Sequence, residues 1–125
     1  MNLLMLFLMG LFLHRPVAVS ENVATCRFER SEHNFGRIAL NQPATAEFVF
    51  TNTGTAPLVI TQVAPSCGCT ASGYTKTPVA PGQKGFVKLT YNTAHAGAFN
   101  KTATVTTNGS QPTLLLTVRG EVAAE

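Results

Sequence analysis

Aspartate and tryptophan are both missing from this 125-residue chain, tyrosine occurs twice, cysteine three times, and only 12% of the residues are charged. Without aspartate, carboxylate chemistry falls to Glu21, Glu29, Glu32, Glu47, Glu121 and Glu125, which are far apart in sequence and mostly flank expected strands. That disfavours hydrolases built on two converging acids. Strong basicity is lacking as well: the net charge is +3, and Lys76, Lys84, Lys88 and Lys101 are scattered along the chain. Such a balance gives no footing for nucleic acid and reads as a solvated face. The one long apolar block, Leu3 to Leu13, is too short to span a bilayer.

That block is followed by His14-Arg15-Pro16 and then by small residues including Ala18 and Ser20. The layout predicts a secretory signal over residues 1–20, cut after Ser20, and export to the periplasm or cell surface. No lysine or arginine precedes the block, so an uncleaved anchor is the competing reading. Cleavage leaves 105 residues with a net charge of +2, since Arg15 is the only charged residue removed. That is an ordinary length for one domain.

Beyond residue 20 the dominant signal is alternation, and no stretch has a helical period. Arg27-Phe28-Glu29 with Glu32 to Phe35 predicts a first strand with a bend, and Arg37 to Leu40 extends it past Gly36. From Ala44 to Thr51, Ala46, Phe48 and Phe50 share one face against Thr45, Glu47 and Thr51. The run Pro57 to Val63, with Leu58, Val59 and Ile60 in succession, predicts a strand covered on both sides. Gly85 to Tyr91, Ala98 to Thr107 and Leu114 to Val122 alternate again. Between them, Asn52-Thr53-Gly54 offers a turn with Gly54 free for positive φ, Pro81-Gly82 suits a type II turn, and Asn108-Gly109 predicts a two-residue hairpin. About seven strands at this spacing predict an immunoglobulin-like antiparallel β-sandwich over residues 27–122.

Concentrated chemistry is confined to Ser66-Cys67-Gly68-Cys69-Thr70. Side chains at i and i+2 of an extended strand lie about 7 Å apart, too far for a disulfide or a shared metal, but Gly68 allows a turn that closes the gap. Four readings remain open. A strained disulfide between Cys67 and Cys69 suits thiol exchange. Two thiolates suffice for Cu(I), whereas zinc would need more ligands from Cys26, His33 or His95. Cys26 could bond one of the pair and leave an odd thiol. The plainest reading is a structural turn with small packing residues.

Cys26 also ends Val23-Ala24-Thr25-Cys26, which loosely suggests a lipoprotein processing site, so membrane contact could come through lipid at Cys26 or through the leader. His33 and His95 are isolated, and His95 falls in a loop. A hydrolase would need Glu47, His95 or Ser66 to converge, which nothing in the sequence suggests. Pro81 to Gly85 lacks the Gly-Lys-Ser/Thr ending of a phosphate loop. Asn100-Lys101-Thr102 and Asn108-Gly109-Ser110 match the glycosylation sequon.

Taken in order, Phe35-Gly36-Arg37-Ile38, Phe48 to Gly54, Pro57 to Ile60, Ser66 to Thr70, Pro81-Gly82 and Tyr91-Asn92 resemble the bacterial family known as domain of unknown function 1573. That family is similar to immunoglobulin-like domains of the hydin and major-sperm-protein type. The resemblance implies an exported, non-enzymatic sandwich module, found alone or as repeats in larger surface proteins, and the edges and loops that an antiparallel sandwich exposes predict an unidentified protein partner, bound through strand addition. The resemblance places the family signature on Ser66, Cys67, Gly68, Cys69 and Thr70 without attaching an activity. The expected role is therefore protein interaction or surface structure with no cofactor, the alternative being copper binding or disulfide exchange at Cys67 and Cys69.

Overall fold

The computed structural model describes residues 22–124; the expected leader over residues 1–20 lies outside them. Among the described residues eight strands form: β1 Cys26–Phe28, β2 Glu32–Ile38, β3 Ala44–Asn52, β4 Ile60–Pro65, β5 Cys69–Tyr74, β6 Lys84–Tyr91, β7 Gly97–Thr107 and β8 Thr113–Val122. They make two four-stranded sheets, ordered β1-β3-β6-β5 and β2-β8-β7-β4. Alternation drives the assembly. Phe48, Phe50, Val87 and Leu89 from the first sheet meet Val105, Leu116, Val118 and Val122 from the second, all essentially inaccessible to water. Burying each such side chain contributes about 2 kcal/mol.

The chain crosses between the sheets at both flanks. On one, β1 pairs with β3 and the chain then passes through Glu29–Ser31 to β2, which pairs with β8 of the other sheet. Because that crossing keeps the chain's direction, β2 runs parallel to β8, the one departure from the expected antiparallel pattern. On the opposite flank β4 lies in the second sheet and β5 in the first, with the Ser66–Gly68 segment as the corner. The count exceeds seven for two reasons. The bent first strand is divided between sheets, and β5, made of Thr70, Ala71, Ser72 and Gly73 between Cys69 and Tyr74, is held by pairing with β6 despite its weak strand propensity.

Three turns test the local readings. Pro81-Gly82 forms the type II turn: Gly82 has φ +82°, and the Gln83 N–H donates to the Ala80 carbonyl at 3.0 Å. Asn108-Gly109 does not form a two-residue hairpin; Thr106 faces Thr113 and the connection between β7 and β8 is five residues long. The Asn108 side chain is drawn instead to the 57–59 segment, accepting from Val59 N–H at 2.8 Å and donating to the Pro57 carbonyl at 3.1 Å. Those residues consequently precede the strand, which begins at Ile60, and Leu58 makes only an isolated bridge to Val79. Gly54 lacks positive φ but must still be glycine, because a Cβ there would sit 2.6 Å from the Thr25 nitrogen and collide with the Val23 carbonyl.

That close approach of the 23–25 strap to Gly54 is held in place by Asn52. Its side chain is completely buried and fully used. The amide nitrogen donates to the carbonyls of Ala56 at 2.8 Å and Val79 at 2.9 Å, and the amide oxygen accepts from Thr25 N–H at 3.2 Å and Gly54 N–H at 3.0 Å. Four backbone groups from three segments thereby find partners in one residue. Removing it leaves buried polar groups unpaired, at about 1–3 kcal/mol each. Asn52→Ala is expected to cost at least about 3 kcal/mol, and Asn52→Asp more, because a carboxylate would face two carbonyl oxygens; urea unfolding checks both.

Candidate functional site

Each residue of Ser66 to Thr70 has a distinct place. Ser66 anchors the corner to β7: its N–H donates to the Thr102 carbonyl at 2.8 Å and its Oγ accepts from Thr102 N–H at 3.2 Å. The Cys69 N–H closes the turn on the Ser66 carbonyl at 3.1 Å, with Gly68 at φ +90° in the position that demands glycine. The Gly68 carbonyl then accepts from Asn92 N–H at 2.8 Å, tying the corner to the 92–96 loop. Thr70 stands opposite Thr90, one residue into the paired part of β5.

The two thiols part company at this turn. Cys69 is half-buried and packs against the hydrophobic core, next to Tyr91, its partner across β5 and β6. Burial raises its pKa, opposed by the nearby Lys101 ammonium. Tyr91 in turn stacks on Phe99 at 3.7 Å between ring centroids, so Cys69 borders an aromatic pair bridging the two sheets. Cys67 is exposed. Ser66, Gly68 and Cys69 thus have structural employment, and Cys67 and Thr70 are the signature positions whose side chains face water.

Cys26 is brought to neither. It lies beside Asn52 at one end of β3, whereas Cys69 lies beside Tyr91, which faces Ala44 at the other end. Eight residues of strand, roughly 27 Å, separate the two rows. All three cysteines are free thiols, and the geometry leaves no intramolecular bond from Cys26 to the pair. Cys26 faces the core, where burial pushes its thiol up to about 12. A lipid on that sulfur would have to leave the core, and processing before it would remove the hydrogen-bonded strap formed by residues 23–25.

The remaining candidates are also dispersed. His33, on β2, contacts Arg30 and packs edge-on against Phe35; partial burial and the Arg30 charge lower its pKa. His95 is exposed in the 92–96 loop at the end of the sandwich that holds Tyr91. Glu47 pairs with Lys88 at 3.9 Å on the outer face of the first sheet. Among the described residues no three of His, Cys, Asp or Glu come together as a metal site would require. An open depression of about 500 Å³, lined by Asn34, Arg37, Asn100, Arg119 and Glu121 among others, lies on the outer face of the second sheet away from the thiols. Asn52, the most connected polar residue, was hidden from sequence reasoning because Asn-Thr-Gly is ordinary turn chemistry.

The family pattern described as "Protein of unknown function (DUF1573)" matches residues 26–122, nearly the whole described region. The chain belongs to the DUF1573 family. No curated protein matches the sequence of this DUF1573 chain. Its fold is similar to that of a protein of unknown function from Porphyromonas gingivalis W83, with a TM-score of 0.69 at 16% identity over 86% of this chain and 51% of the other. It is similar as well to the ASH/PapD-like domain 7 of human CEP192, with a TM-score of 0.68 at 10% identity over 90% and 94% of the two chains. Vibrio cholerae VesB protease contains a similar region, with a TM-score of 0.61 at 16% identity over 82% of this chain and 32% of the protease. The DUF1573 chain spans about half of the Porphyromonas protein and a third of the protease. Likeness at these identities shows an immunoglobulin-like, PapD-like sandwich.

The thiol assignments make two predictions. Under native conditions iodoacetamide should label Cys67 first, Cys69 slowly and Cys26 only on unfolding, as peptide mass mapping will show. The unfolded Cys26 thiol ionises near 9.0 and the folded one near 12, so the folded state keeps an extra proton between those values. The stability this gives is full below pH 9 and lost as pH rises toward 12, at about 1.4 kcal/mol per pH unit. Urea unfolding at pH 8 and pH 10 should therefore show a smaller alkaline loss in Cys26→Ala than in the parent.

Proposed function

We propose that this DUF1573 domain is an exported, non-catalytic module for protein interaction or surface structure. The observation that carries the reading is the employment of the signature: Ser66 docks the corner, Gly68 turns it and Cys69 packs, so the motif builds a sandwich corner rather than a reaction centre. The acidic side chains point the same way. Glu29, Glu32 and Glu47 are each paired with a cation, namely Lys84, Arg119 and Lys88, on the surface. What the sandwich offers a partner is its strand edges and its loops, the usual means by which such folds bind.

Export rests on the apolar block and small residues before position 20. The hydrogen bonds of Val23 and Ala24, whose carbonyls accept from Thr55 N–H at 2.8 Å and Ser110 N–H at 2.9 Å, favour a cut after Ser20 over one before Cys26. Intact mass of the exported product is expected to give Glu21 as its first residue. A mass beginning at a lipidated Cys26 would refute this processing.

One observation favours a second reading. Gly68 folds Cys67 and Cys69 into a single turn, which shortens the span between them relative to an extended strand and leaves Cys67 accessible. Copper(I) binding or disulfide exchange would use that pair. The decisive experiment titrates Cu(I) anaerobically into the parent and a Cys67→Ser, Cys69→Ser variant, alongside a free-thiol count. The module reading expects no stoichiometric uptake, and expects a photo-crosslinker on the β1, β4 or β5 edge to capture a discrete partner in the exported fraction. Tight one-to-one copper binding lost in the variant would overturn it.

A further inference from the structure

The two flanks of the sandwich are not equally closed, and the difference lies along β3. β1 covers only Phe50 to Asn52 of its neighbour, and after the Glu29 N–H bonds the Val49 carbonyl at 2.9 Å the chain departs for the other sheet. In an antiparallel ladder, alternate residues turn both backbone groups to the same neighbour. Asn52 bonds Gln83 and Gly82, the residues that lead into β6, which assigns the even-numbered residues of β3 to β6 and the odd-numbered ones to the outer side. Arg30 meets the Glu47 carbonyl with its guanidinium at 2.9 Å. The N–H and carbonyl of Thr45 and the N–H of Glu47 face outward with no strand beside them.

We propose that this uncovered stretch, Ala44 to Glu47, is the docking edge for an extended acidic segment of a partner protein, a proposal that rests on the interaction-module reading and names its edge. The occupant would continue the line of β1, antiparallel to β3. Charge selects its chemistry. Arg30, at this edge, is exposed and in no ion pair among the described residues, whereas the nearby Glu29, Glu32 and Glu47 are already neutralised. Arg30 also lies 5.3 Å over the Phe48 ring, which holds its charge at the edge. A second copy is a poor occupant, because antiparallel pairing of two β3 edges sets each Arg30 near the other. The remaining edges are less regular: register slips in β2 between Asn34 and Arg37, in β4 between Ile60 and Gln62, and in β5 between Ala71 and Gly73.

The test uses the full ¹⁵N-labelled chain with two synthetic probes, acetyl-Thr-Glu-Val-Glu-Thr-Glu-amide and its counterpart with lysine for each glutamate. The acidic probe is expected to shift the Thr45 and Glu47 amides and to slow their hydrogen exchange at least tenfold, with the lysine probe at least tenfold weaker. Arg30→Glu should weaken the acidic probe at least tenfold, and Thr45→Pro, which deletes an outward N–H that the fold does not use, should abolish the effect while the rest of the amide spectrum stays dispersed. Unchanged Thr45 and Glu47 amides, or equal binding of both probes, would overturn the proposal. Partner crosslinks that persist in Thr45→Pro would also overturn it, while leaving the module reading in place.

Discussion

The sandwich depends on one carboxamide. Asn52 ends β3 at the point where the entering strap, the 53–56 loop and the segment before the Pro81 turn converge, and its four hydrogen bonds reach all of them. Those segments carry backbone groups that would otherwise be buried without partners. A side chain with two donors on one atom and two lone pairs on the other meets the need from a single position, which neither aspartate nor leucine of similar size can do. Its backbone contributes as well, bonding Gln83 and Gly82 at the turn that leads into β6. Local turn, sheet register and chain entry are therefore set together.

Much of the fold was legible because half-buried strands announce themselves by period. Ala46, Phe48 and Phe50 are all buried, as are Ala103, Val105, Leu116, Val118 and Val122, each on the face its alternation assigned. The Pro81-Gly82 turn was legible for a different reason, since proline and glycine each restrict φ in a known way. β5 was not legible: its small and polar residues become a strand only because β6 offers an edge. Asn108-Gly109 misled because its carboxamide found backbone partners in the segment leading into β4, the strand beside β7, a contact distant in sequence that outweighs the local preference.

The cysteine motif shows the same divide at smaller scale. That Gly68 would bend the chain could be read from its neighbours, and the bend is present at φ +90°. That the bend would send Cys69 toward the core and leave Cys67 in water depends on the chain changing sheets there, and on Tyr91 and Phe99 standing behind it. Spacing alone carries no information about a sheet crossing. Likewise the separation of Cys26 from the pair follows from strand order, which no count of cysteines reveals.

The parallel pairing of β2 with β8 bears on how the domain carries mechanical load. β2 follows closely on the chain's entry and β8 is the last strand, and both run toward the end of the sandwich opposite that entry. Tension between Cys26 and Val122 therefore pulls these neighbours along their length in opposite senses. Their interstrand bonds lie across the pull and share the force at once rather than peeling in sequence. A module strung between two anchored points would meet this pair as a set of bonds loaded together in shear.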